Sequence, residues 1–266
     1  MEKQYYYAYS KYLKDRYGEK VYKLPVNLPV SCPNKKEGRG CLFCADVGTG
    51  FEASDNSLTV RSQMLASREK VEKRYNAHKF IAYFQNYTNT FLPLSILLNY
   101  MKEAAEVDNV VEICLSTRPD CIRQEYLEAF KEFRFRTGIE VSIELGLQTV
   151  NYHTLAAMNR GHGLAEFLDA VLRIAPYHFP VCVHMILNLP GDTMEDVKEA
   201  SRILSALPVT MVKLHSLYIP KKSGLYEKYA KGEITICSKE EYLERLAEFI
   251  ALLRPDITVE RLLSRI

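Results

Sequence analysis

Residues 110–147 read VVEICLSTRPDCIRQEYLEAFKEFRFRTGIEVSIELGL. An apolar run at Val110–Leu115 gives way to a spacing that puts Leu127, Phe130 and Phe133 on one face. A second apolar run follows at Val141–Leu147. The simplest reading is strand, helix, strand. Near-continuous Val, Ile and Leu suits parallel strands covered on both faces, and the 3.6-residue period suits the helix that covers them. Parallel strands require such a crossover, and crossovers are right-handed.

The same unit recurs outward in both directions. Further strands are expected at Phe80–Phe84, Val181–Leu189 and Val209–Leu217, with an earlier one around Val26–Val30. Helices are expected over Pro93–Ala105, Gln124–Phe135, Leu164–Ala175, Met194–Leu207 and Lys239–Leu253. Pro93 suits a first helical turn, Thr193 with Asp196 reads as a capping box, and Ser238 as an N-cap. Counted in order, β-α repeats about six times. The fold class is therefore α/β, a partial (β/α)6 TIM-like barrel, although periodicity alone does not separate this from a doubly wound sheet. In such barrels the chemistry sits at the C-terminal ends of the strands. Without an internal repeat, low-complexity tract or linker, the expected organisation is one core over residues 25–266 behind a basic, Tyr-rich N-terminal extension over residues 1–24.

Composition sets the outer limits. The chain has 266 residues, 47% hydrophobic and 26% charged, with net charge +2, an ordinary globular balance. No stretch approaches the roughly 20 apolar residues of a membrane span. The charged N-terminus lacks the apolar core of a secretory signal, so a cytoplasmic protein is expected. Seven cysteines, an odd number, do not make a disulfide framework there.

Three of those cysteines crowd into SCPNKKEGRGCLFC at 31–44, giving C-x8-C-x2-C at Cys32, Cys41 and Cys44. Gly38, Gly40, Pro33 and Asn34 make the intervening segment a turn-rich loop able to wrap an object. Three thiolates can hold three irons of a cubane cluster and leave the fourth open. The alternatives are free structural thiols and zinc, which as a structural ion wants four ligands, usually in two close pairs. Only Cys41 and Cys44 form a pair, and the next His or Cys is His78. Cys114, Cys121, Cys182 and Cys237 are too dispersed for a second cluster.

This loop, with the aromatic Phe43 immediately before its last cysteine and a first barrel strand before it, resembles the radical S-adenosylmethionine (SAM) superfamily. The usual superfamily spacing is C-x3-C-x2-C; the longer loop resembles the YhcC/YtqA-type branch, related to the Elongator catalytic subunit and to oxygen-independent coproporphyrinogen oxidases. Further segments agree in order: FQNYTNT at 84–90, LSTRPD at 115–120, ELGLQ at 144–148, NRGH at 159–162 and NLPGDT at 188–193. The resemblance covers roughly residues 5–260. It also implies that the family continues beyond this length, so a shortened C-terminus is expected.

The resemblance implies a barrel of the radical SAM type, a 4Fe-4S cluster on Cys32, Cys41 and Cys44, and SAM chelating the open iron. It implies reductive cleavage of SAM to a 5′-deoxyadenosyl radical, with a reductant such as flavodoxin or ferredoxin. Phe43 accompanies the cluster. Gln85, Asn86 and Thr88, helped by Asn89, stand where relatives receive the methionine amino group. Ser116 stands where relatives carry a SAM-contacting carboxylate. Gln148 matches a residue reaching the cofactor, Arg160 one pairing with its carboxylate, and His184 a ribose contact. Cys121 is a candidate radical-relay thiol. Plainer roles stand beside these: Arg118 as a surface turn or rim ion pair, Glu144 as a buried structural pair, and His162, His178 and His215 as structural histidines.

Charge distribution bears on the substrate. Residues 1–40 hold nine Lys/Arg against four Asp/Glu, together with seven of eighteen tyrosines; residues 61–79 hold six against two. Basic side chains attract phosphates, and tyrosine faces stack on splayed bases. The other reading is a solvated face with tyrosines packed on the barrel. The family resemblance points to tRNA, with the wobble uridine side chain taken from 5-carboxymethylaminomethyl towards aminomethyl. A small anionic metabolite or tetrapyrrole is the second enzyme reading, and a non-catalytic zinc-stabilised RNA-binding module the third.

Overall fold

A computed structural model describes residues 5–36, 38, 40–44 and 54–264. Among these, eight strands form one parallel sheet: β1 (Tyr7–Ala8), β2 (Val21–Val26), β3 (Lys79–Phe84), β4 (Val110–Thr117), β5 (Glu140–Gln148), β6 (Val181–Ile186), β7 (Met211–His215) and β8 (Thr258–Arg261). The order is β1-β8-β7-β6-β5-β4-β3-β2. The helices are α1 (Tyr9–Tyr17), α2 (Pro33–Lys36), α3 (Val60–Tyr75), α4 (Leu94–Ala105), α5 (Gln124–Thr137), α6 (Tyr152–Ala157), α7 (Leu164–Ile174), α8 (Met194–Ala206), α9 (Gly224–Ala230) and α10 (Lys239–Leu252). Strands β2 to β7 are the six expected units of the partial barrel; β8 and β1 extend one edge.

The period of two sorts the strands into faces. Phe80, Ala82 and Phe84 of β3, Ile113 and Leu115 of β4, and Ile143 and Leu145 of β5 join the main core under the helices. The opposite parity faces the barrel interior, where apolar Val21 and Ile81 sit with polar Lys23, Tyr83, Glu144 and Lys213. The sheet curls until Lys23 of β2 reaches Glu260 of β8 at 2.8 Å, although β1 and β2 do not pair. Helix α1 covers the seam, burying Leu13 against Val21, Ile81, Tyr83 and Cys114.

Several expectations change here. The first barrel strand is Val21–Val26, not Val26–Val30, because the chain must turn at 27–30 to launch the cysteine loop. The boundary expected between residues 24 and 25 falls inside β2, and the preceding segment supplies β1, paired with β8, and α1. Its tyrosines are largely occupied: Tyr9 stacks on Tyr12 at 6.1 Å, both pack on the α1 cluster, and Tyr22 stacks on Tyr75 at 4.6 Å. Tyr5 is 75% exposed. The basic stretch at 61–79 is mostly α3, begun by Thr59, whose side chain accepts from Ser62 N–H. Both anticipated caps of the later helices form: Thr193 and Asp196 make the capping box, and Ser238 Oγ accepts from Glu241 N–H at 3.0 Å.

Candidate active site

The cysteine loop lies over the C-terminal ends of the strands, held there by residues that follow β5. Asn34 Nδ2 donates to the Asn159 carbonyl at 2.6 Å, Asn159 Nδ2 donates to the Gly40 carbonyl at 2.8 Å, and Leu42 N–H to the Met158 carbonyl at 3.0 Å. Pro33 starts the single turn of α2, whose Lys35 and Lys36 N–H groups return to the Cys32 carbonyl. Gly40 has φ +74°, and a Cβ there would sit 2.9 Å from Lys35 Cγ, so the loop needs glycine. Phe43 packs with Met158, Leu189 and Leu225, anchoring the loop from its apolar side.

Two buried guanidiniums flank the sulfurs. Arg160 Nη1 lies 3.5 Å from Cys41 Sγ, and its Nη2 donates to the Gly146 carbonyl at 2.6 Å. Arg118 Nη1 lies 3.8 Å from Cys32 Sγ and donates to the Arg160 carbonyl at 2.9 Å. Arg118 is fixed by two bonds to Asp120, at 2.9 and 2.8 Å, and is only 4% exposed. It is a buried member of the site, not a surface turn. The Cys41 and Cys44 thiols share a hydrogen bond that splits their titration. Cys41 is pushed down to about 5, with Arg160 and Asn34 adding to the effect of Cys44 against burial, while Cys44 is pushed up.

These residues fit an anionic cluster with an open position. Three sulfurs, two fixed cations and a buried Arg160 Nε with no partner among the described residues form a donor set with polar capacity left over. Gly146 makes the approach possible, since a Cβ there would meet Arg160 Nη2 and Gln148 Nε2, each at 2.8 Å. Gln148 itself has φ +81°, a left-handed turn at the end of β5. In the segment after β3, Asn89 Nδ2 donates to the Phe84 and Ser116 carbonyls, tying that loop to β4. Gln85 N–H donates to the Val26 carbonyl, and Thr88 is buried. Asn86 donates to Asn27 Oδ1 at 2.6 Å, leaving its own Oδ1 buried without a partner among the described residues. Burial pushes the Cys121 thiol, in the turn after β4, up to about 12, so it stays protonated.

Below the sulfurs lies a ring of charge. Lys23 bridges Glu144 at 2.6 Å and Glu260 at 2.8 Å, and Lys213 bridges the same pair at 3.3 and 2.8 Å. Tyr83 donates to Glu144 at 2.7 Å, and His184 Nε2 lies 2.6 Å from it. Ser116 Oγ sits 3.3 Å from the same carboxylate, with Glu144 opposite it on the neighbouring strand. Burial opposes charge on Glu144, but Lys213, Lys23 and His184 together hold it well below the usual carboxylate range. Glu144, Cys182 and His184 place donor atoms within 4.8 Å of one another, yet the two ammoniums already supply the positive charge a metal would bring. The signal for this ring was a lone lysine in each of VYKLPV and MVKLH and the glutamate of TVER, at positions that face inward. The Arg118–Asp120 pair had its own signal in the RPD turn.

The profile described as the Radical SAM superfamily matches residues 26–204, and the Radical SAM C-terminal domain matches 209–266. The chain belongs to the radical SAM superfamily. It is 32% identical over 253 residues to protein YhcC of Escherichia coli, covering 94% of this chain and 80% of YhcC. A tRNA uridine(34) acetyltransferase of Methanocaldococcus jannaschii is 27% identical over 153 residues, 54% of this chain and 27% of that protein. The archaeal Methanocaldococcus infernus Elp3 structure shares the fold at TM-score 0.69 and 18% identity, over 92% of this chain and 57% of that one. The chain thus spans little more than half of that structure. Radical SAM proteins of this family use a 4Fe-4S cluster and SAM. Among the described residues, no helix is long and apolar enough to cross a membrane.

Proposed function

We propose that this radical SAM enzyme modifies the wobble uridine side chain of tRNA, taking 5-carboxymethylaminomethyluridine towards the aminomethyl form. The observation that carries the chemistry is the meeting of the cysteine loop with Arg118 and Arg160 above a polar barrel interior. The tRNA clause is supported by the likeness to a tRNA uridine(34) acetyltransferase and by the basic α3 segment.

Cys32, Cys41 and Cys44 would hold the cluster. When bound, the reduced cluster and SAM supply a one-electron cleavage that releases a hydrogen-abstracting 5′-deoxyadenosyl radical. Arg160 would take the SAM carboxylate, a task suited to a fixed guanidinium with an unused N–H. Gln85, Asn86 and Thr88 would receive its ammonium, for which the bare Asn86 Oδ1 is suited. Gln148 and Ser116 would line the nucleoside, and His184, oriented by Glu144, would meet the ribose. Phe43 holds the cysteine loop in register. Flavodoxin or ferredoxin would supply the electron. Comparison of tRNA nucleosides from cells with and without the gene tests the reading. Loss of the aminomethyl form supports it, and identical profiles remove the tRNA claim.

A further inference from the structure

His215 ends β7 two residues after Lys213, so the strand period turns it to the same inner face. Its ring stacks on His184, with centroids 5.2 Å apart and planes at 28°. Ser264 fixes its tautomer. The Ser264 hydroxyl donates to the Ser216 carbonyl at 2.9 Å, so its oxygen is left to accept, and His215 Nδ1, 3.3 Å away, carries the proton. The lone pair therefore falls on Nε2, which is shielded and has no hydrogen-bond partner among the described residues. Burial first, with the Lys213 and Arg261 charges beside it, holds this imidazole well below the usual histidine range, so it is neutral.

His184 has the opposite arrangement. Its Nε2–H is spent on the ionised Glu144, leaving Nδ1 as the lone pair. Two stacked neutral imidazoles thus present acceptors, not donors, at the C-terminal ends of β6 and β7. A buried acceptor left bare carries a standing cost that an incoming donor removes. The acceptor is buried, and carrying a full charge into such a place costs more than carrying a neutral group, which selects for a neutral donor.

We propose that His215 is a substrate-binding residue whose Nε2 accepts a hydrogen bond from a neutral N–H or O–H group of the molecule attacked in the barrel. This rests on the reading of the chain as a tRNA-modifying radical SAM enzyme. The reconstituted enzyme is assayed with SAM, dithionite and an anticodon stem-loop RNA carrying 5-carboxymethylaminomethyluridine. Wild type is compared with His215→Gln, which keeps an acceptor oxygen, and His215→Leu, which keeps bulk without one. For the Leu variant, kcat/KM for the RNA is expected to fall about 10- to 100-fold, and for Gln to recover to within about 5-fold of wild type. Kd for SAM is expected to move by less than about 2-fold in either variant, since the acceptor serves the substrate. Equal losses in both variants, a matching loss of SAM affinity, or full activity of His215→Leu would each overturn the proposal. A wild-type enzyme that cleaves SAM but leaves the RNA unchanged overturns the tRNA reading, and this proposal with it.

Discussion

Lys23 and Glu144 stand on β2 and β5 and meet at 2.6 Å inside the barrel. The contact joins strands far apart in the sheet, and through Glu260 it also closes the seam that backbone pairing leaves open. A buried pair of this kind is not itself strong evidence of stability, because desolvation offsets much of the attraction. Removing one partner is a different matter, since the other charge is then stranded.

Lys23→Met is therefore expected to destabilise the fold by about 3–5 kcal/mol, measured by urea unfolding. Glu144→Gln should cost a similar amount, and the double variant less than the sum of the two. Additive losses would show that the ring does not act as a unit.

Acid stability follows from the histidines. Burial, with help from Arg160, pushes His162 down to about 4, while burial lowers His184 and His215 despite Glu144. A depressed histidine contributes stability that is present above its unfolded value near 6.5 and lost as pH falls through the folded value. Stability should thus decline between about pH 6.5 and 4, with His162 alone accounting for up to about 3 kcal/mol. His162→Asn should flatten part of that slope in unfolding curves taken across this range.

Much of the fold was legible because the strands are buried on both faces and their helices keep a clear period. Predicted helix ends at Pro93–Ala105 and Lys239–Leu253 differ from the observed ones by a residue. The early segment was not legible: β1 is two residues long, and α1, rich in Lys and Tyr, carries one fully buried apolar side chain, Leu13. The cysteines and Arg160 stood out by spacing and resemblance. Glu144 stood out as a buried acid in need of a partner, but Lys23, Lys213 and Glu260 did not, because the ring spans 237 positions of separation and meets only when the sheet curls. His215 was hidden for the same reason: its missing partner is a property of the packed state alone.

Gly146→Ala should press on both Arg160 and Gln148, since its methyl would lie 2.8 Å from each. SAM affinity is expected to fall about tenfold or more, and stability by about 1–3 kcal/mol, because Arg160 is buried and tied to the Gly146 carbonyl. Unchanged SAM binding by equilibrium dialysis would place the cofactor elsewhere.

Asp120→Asn should strip the charge partner from buried Arg118, costing about 2 kcal/mol of stability. Iron retained after anaerobic gel filtration should fall in parallel, because Arg118 braces Cys32. Full iron content in a destabilised variant would make Arg118 a support for the loop and nothing more.

Cys32→Ala, Cys41→Ala and Cys44→Ala should each abolish bound iron and the brown cluster absorption, whereas Cys237→Ala, on a separate loop, should leave both intact. The most direct measurement is 5′-deoxyadenosine formed from SAM by the anaerobically reconstituted protein under dithionite. The account predicts its formation by wild type and its loss in all three loop variants. A reconstituted, iron-loaded wild-type protein that releases none would contradict it.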